Sequence, residues 1–221
     1  MSARVWTRRR ALARFLREPS PRILVAASAA TLALRVLLGD FGLWDGIVVA
    51  AIVLLWPLQE WLLHVYVLHA RPFRLFGRTV DLRAGTGHRE HHESPLDPDE
   101  AFMPPRVLLS YLGFHVAFWL VAMPTWRLGL TGLATMAVLG TAYEWVHFLS
   151  HTDYRPRSRW YARIWRSHRL HHFKNEGYWF GVTMLGGDRL MGTRPDPARV
   201  ATSATCRTLT GGRPERERLV G

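Results

Sequence analysis

The amino-acid sequence predicts an all-α integral membrane protein of about four transmembrane helices, with a cap of short helices rich in histidine. Two observations lead there. Long apolar stretches alternate with arginine-rich ones, although the mean hydropathy of the whole chain is near neutral. Ten of the 11 histidines fall into four tight clusters, placed where apolar stretches end and in the polar segments that follow.

The apolar stretches come in order along the chain. Residues 23–38 are apolar except for Arg35, and either span the membrane or lie partly in its interface. Residues 43–63 are apolar around Asp45, Gln59 and Glu60. Residues 107–124 carry no formal charge, and 128–148 carry only Glu144. A spanning helix needs about 20 mostly apolar residues, so the last two are good candidates and the second is adequate. A length of 221 residues fits one domain, expected over 1–193. The tail 194–221 is rich in Arg, Thr, Gly and Pro without apolar period, and is expected to be loose.

Charge sets the expected orientation. The stretch before Arg22 holds Arg4, Arg8, Arg9, Arg10, Arg14 and Arg17, and segments 70–106 and 152–221 are again arginine-rich. The turns near 40–45 and 124–129 are not. The positive-inside rule then places both termini and the middle segment in the cytoplasm. The net charge of +12 is explained by this asymmetry, with anionic lipid headgroups as partner. No recognisable nucleic-acid-binding module accompanies it, which argues against nucleic acid. Arginines 8–10 resemble an export signal, yet no apolar stretch follows them directly. The lone Cys206 excludes an intrachain disulfide and fits a reducing compartment. Trp44, Trp56, Trp61, Trp126 and Trp145 lie near span ends, where interfacial anchoring is expected. Trp160, Trp165 and Trp179 surround the last histidine box and are expected over an acyl chain or on the lipid surface.

The histidines read His64-x4-His69, His88-x2-His91-His92, His147-x3-His151 and His168-x2-His171-His172. Neutral imidazole is a common ligand of transition metals; two four-coordinate sites would use eight of them, and two five-coordinate sites all ten. On a helix, positions i, i+3 and i+4 lie on one face, so each triplet is expected to present three imidazoles in one direction. His147 and His151 share a face by the same rule. His64 and His69, five apart, do not, which predicts local unwinding or a helix end there. Two spans fit between His92 and His147, so all four clusters arrive on one side of the membrane. His115 lies mid-span among Phe114, Phe118 and Trp119 and reads as a buried bystander. Glu60 and Glu144 sit one helical turn before His64 and His147, where each could accept the second ring N–H of its histidine. Asp153, Asn175 and Tyr178 are further candidates for orienting ligands.

The boxes HVYVLH, HREHH, HFLSH and HRLHH resemble those of the fatty acid hydroxylase and sterol desaturase superfamily of membrane di-iron oxygenases. The resemblance covers roughly residues 55–193. The runs HHFKNEGYWFGVT and GGDRLMGT are most similar to the fatty acid 2-hydroxylase branch. It implies ten ligands, His64, His69, His88, His91, His92, His147, His151, His168, His171 and His172, holding two iron ions, with zinc able to replace them in purified samples. It also implies O2-dependent hydroxylation of a lipid acyl chain. The sequence lacks the N-terminal cytochrome b5 domain of eukaryotic members, so a separate electron donor is expected, a ferredoxin or a cytochrome b5-like protein with its reductase. Relatives that oxidise carotenoids or sterols share these boxes and are the alternative within the class. Outside it stands a metal transporter, although transporter sites lie near the bilayer midplane and these clusters do not.

Overall fold

A computed structural model describes residues 6–206; residues 1–5, Arg4 among them, and 207–221 lie outside it. Helices α1 (Arg8–Phe15), α2 (Pro19–Leu38) and α3 (Leu43–Leu63) come first, and α3 runs on as a π-helical turn over His64–Leu68. A two-stranded hairpin, β1 (Phe73–Leu75) and β2 (Arg78–Val80), leads to α4 (Arg83–Glu93). Then follow α5 (Pro105–Ala122), α6 (Trp126–Ser150), α7 (Arg159–Phe173) and the short α8 (Gly186–Leu190).

Three of these helices are long and apolar enough to cross a membrane: Pro19–Leu38, Leu43–Leu68 and Pro105–Ala122. The first reaches a full 20 residues because Pro19 and Pro21 open it, where a missing N–H costs nothing. Large apolar side chains such as Leu37 and Val121 stay 83% and 85% exposed. Apolar surface of that kind on helices of this length marks a membrane-associated protein. The fourth expected span forms a 25-residue helix, α6, but it is not apolar enough to join the other three. Its composition has a packing reason. A Cβ on Gly132 would lie 2.4 Å from the Trp119 ring, so α5 and α6 approach closely only because this position is bare.

The described chain packs as two compact units interleaved in sequence. One comprises Thr7–Trp56 and Phe102–Trp145; the other comprises Trp6, Pro57–Ala101 and the described residues from Val146 on. In the first, polar groups on the helices pair with one another. Arg35 donates to Asp45 at 2.6 Å and to Thr131 Oγ1 at 2.7 Å, and Thr131 in turn donates to Asp45. Ser28 and Thr141 hydrogen-bond at 2.9 Å. His115 is buried in this unit, edge-on to Tyr111, and belongs to neither histidine group.

The tail is not loose from its start. In residues 194–206, Asp196 caps a 3-10 turn, Ser203 N–H donates to the Lys174 carbonyl, and Cys206 is buried. A backbone hydrogen bond to Lys174, the residue that follows α7, helps hold what composition alone reads as flexible. The rest of the expected tail lies outside the described residues.

Candidate metal centre

All ten clustered histidines lie in the second unit, and they form two groups of five. His64, His69, His88, His92 and His171 make one; His91, His147, His151, His168 and His172 make the other. Within each, one ring nitrogen per residue lies within 4.8 Å of all the others. Nine of the ten are buried and His69 is half-buried.

The local structure explains how each ring gets there. The π-helical turn carries a backbone bond from His69 N–H to the His64 carbonyl, five residues back. A π-helix puts i and i+5 on one face, so the chain widens at the first box rather than unwinding. The expectation of three imidazoles in one direction is corrected. On α4, His88 and His92 serve the first group while His91 serves the second. On α7, His168 and His172 serve the second group while His171 serves the first. Each triplet helix therefore gives its i, i+4 pair to one site and its i+3 residue to the other.

Hydrogen bonds to backbone carbonyls fix the tautomers of five of the ten. Nδ1–H of His64 donates to the Phe180 carbonyl at 2.6 Å, that of His171 to Tyr178 at 2.8 Å, and that of His92 to Cys206 at 3.1 Å. In the other group, His147 donates to Ala101 at 2.8 Å and His151 to Pro95 at 2.7 Å. A carbonyl only accepts, so these Nδ1 atoms carry the proton and Nε2 is left with its lone pair. Yet Nε2 of His92 lies 3.2 Å from Nε2 of His171. Two lone pairs cannot hydrogen-bond, and doubly protonated rings are disfavoured here. Burial holds the His171 ring well below the usual histidine range, and pushes His92 down to about 4. A cation between the rings resolves the contact. The donor set fits transition-metal ions, and the clusters imply metal use.

The carboxylates behave differently from the sequence expectation. Glu60 accepts from Thr183 N–H at 3.1 Å and Met184 N–H at 3.2 Å, and from the Thr183 hydroxyl. It holds the loop that supplies the Phe180 carbonyl to His64, rather than the imidazole itself. Glu144 accepts from Ser20 Oγ at 2.7 Å and Met103 N–H at 2.9 Å, while His147 uses Ala101. Asp153 is exposed. Asn175 binds Gly177 N–H and the Ala201 carbonyl, and Tyr178 contributes its backbone oxygen.

Sequence reasoning missed Asp188. Fully buried, it accepts from Phe180 N–H at 2.9 Å, Gly181 N–H at 2.8 Å and Thr193 Oγ1 at 2.7 Å. Burial pushes its carboxyl up, against those donors. The same Phe180 residue thus donates to Asp188 and accepts from His64. Between two of the three carbonyls that serve the first group, those of Tyr178 and Phe180, stands Trp179, buried and with φ at 58°. That left-handed backbone costs on the order of 1–3 kcal/mol, and the loop is clamped on both sides to hold it. Trp179 is therefore a core anchor, while Trp160 alone of its group is openly exposed. The only sequence signal for Asp188 is an acid set among glycines in GGDRLMGT.

Fold and site together define a helical, membrane-associated protein with two buried five-imidazole clusters. Residues 49–193, more than half of the 221, match the fatty acid hydroxylase family, and the chain belongs to it. It is 28% identical over 160 residues to a dihydroceramide fatty acyl 2-hydroxylase of Arabidopsis thaliana, covering 68% of this chain and 61% of that one. It is 24% identical over 132 residues to a fatty acid 2-hydroxylase of Rattus norvegicus, covering 59% and 35% respectively. The chain thus spans less than two thirds of either relative. Its fold resembles a solved structure of full-length Scs7p in which only the hydroxylase domain is visible. The TM-score is 0.63 at 20% identity, over 88% of this chain and 69% of that one.

Proposed function

We propose that the protein is an O2-dependent di-iron oxygenase that hydroxylates a lipid acyl chain at carbon 2. The observation that carries this reading is a pair of five-histidine groups, in the first of which the Nε2 lone pairs of His92 and His171 face each other, in a chain whose relatives are named 2-hydroxylases. The ten histidines named above hold the two ions. Iron bound there supplies O2 reduction and an oxidant for an unactivated C–H bond, which no side chain provides. One oxygen atom enters the product as hydroxyl and the other leaves as water, with two electrons and two protons from a separate donor protein. The backbone carbonyls at 95, 101, 178, 180 and 206 orient five of the rings, and burial keeps them neutral. A cavity of about 750 Å³, lined by Val65, His69, Arg71, Phe180 and Thr205 among others, reaches the first group. It is large enough for the reacting end of an acyl chain. Lipid profiling of cells with and without the gene tests the reading, and the expected result is a new 2-hydroxy acyl product. Changed metal content with unchanged lipids would favour transport instead.

The orientation belongs to the same proposal: α6 is a fourth span, and both termini and the metal centre face the cytoplasm. The arginine asymmetry supports it. Reporter fusions after Asp97 are expected to read cytoplasmic, and fusions at Arg127 external. An external Asp97 would reverse the assignment.

A further inference from the structure

The segment between the first two histidine boxes is built against its own local preferences. Phe76 and Gly77 form the two-residue turn of the hairpin, with φ at 48° and 77°. Such turns need both residues in the left-handed region and favour Asn, Asp or Gly first. A phenylalanine there is strained, and this one is also 96% exposed. Phe73 and Leu75, two apart on β1 and so on one face, are exposed as well. Around this apolar tip stand Arg71, Arg74 and Arg78, and no acidic residue occurs between His69 and Asp81. In water, neither the strained backbone nor the bare ring is compensated. An outlier of this kind points to function.

We propose that the hairpin tip inserts into the anionic lipid surface beside the mouth of the metal-site cavity, with Phe76 as wedge and Arg74 and Arg78 on the headgroups. Position supports lipid as the occupant. The apolar helix ends at Leu68, and the hairpin begins five residues later, within reach of the interface. Charge supports it too, since arginine beside an exposed aromatic suits anionic headgroups around an apolar layer. Arg71 and Pro72, which lead directly into β1, line the cavity that contains His69. An anchored hairpin therefore holds that opening against the layer where a lipid substrate resides. The inference rests on membrane embedding and not on the reaction catalysed.

The test uses the full chain in lipid nanodiscs, with Phe76→Cys carrying an environment-sensitive fluorophore. The unlabelled background is favourable, because native Cys206 is buried. Nitroxide-bearing phospholipids are expected to quench the label, more strongly when the disc contains phosphatidylglycerol than when it is all phosphatidylcholine. Arg74→Gln with Arg78→Gln is expected to remove that anionic gain, roughly fivefold in partitioning per arginine, with metal content unchanged. Leu75→Cys repeats the measurement if the tip variant fails to fold. A label that lipid nitroxides leave unquenched, and that aqueous iodide quenches equally in detergent and discs, overturns the proposal. So does a label that only an acidic electron-transfer protein shields. Either outcome leaves the hydroxylase reading standing.

Discussion

Replacing His91 by alanine is expected to strip metal from one group of five and spare the other, and His92→Ala is expected to do the reverse. The two residues are adjacent on α4 yet serve different groups. His91→Ala leaves His147, His151, His168 and His172 around the second position; His92→Ala leaves His64, His69, His88 and His171 around the first. Changes that touch only the partners of a ligand cost about 10–100-fold in metal affinity or activity, so loss of a ligand costs at least that. Elemental analysis is expected to fall from about two ions per chain, as two five-ligand sets imply, to about one in each variant. The proposed hydroxylation is expected to collapse in both. His115→Ala, buried in the other unit beside Tyr111, is expected to leave the metal in place. Loss of both ions together in His91→Ala, or retention of both, would break the division into two groups.

Much of this site was legible in the sequence, and what escaped did so for physical reasons. Spacing of three and four identified the helices that carry the histidine groups, and hydropathy placed three apolar helices within a few residues. The split of each triplet escaped because "one face" is broad. At roughly 100° per residue, i+3 and i+4 diverge by that same angle, wide enough to feed two sites. The roles of Glu60 and Glu144 escaped for another reason. A carboxylate one turn before a histidine shares its face, but the imidazoles took backbone carbonyls instead. Carbonyl groups leave no mark in a sequence, so neither Phe180, Cys206 nor Ala101 announces itself. Asp188 acts through that same backbone, and only its glycine neighbours set it apart. The first box departs from α-helical spacing as its five-residue interval requires, though by widening into a π turn rather than by unwinding.

Breaking the Arg35–Asp45 pair is expected to cause the largest loss of stability of any change away from the histidines. Read along the chain, Arg35 interrupts the first apolar stretch and Asp45 the second, as two separate liabilities. In the fold they meet at 2.6 Å, with Thr131 donating to Asp45 at 2.5 Å and Arg35 reaching the Gly39 carbonyl at 2.6 Å. The side chains are 4% and 11% exposed, and the guanidinium lies 4.0 Å over the Phe41 ring. Removing one partner strands the other charge away from water, which costs about 3–5 kcal/mol in buried pairs. Asp45→Ala and Arg35→Ala are each expected to lose that much in unfolding of the detergent-solubilised protein. Replacing both with apolar residues of similar volume, Arg35→Met with Asp45→Leu, removes the stranded charge along with the attraction. The double variant is therefore expected to be more stable than either single one. If it instead falls by the sum of the two losses, the residues act independently and the pair is not what holds these helices.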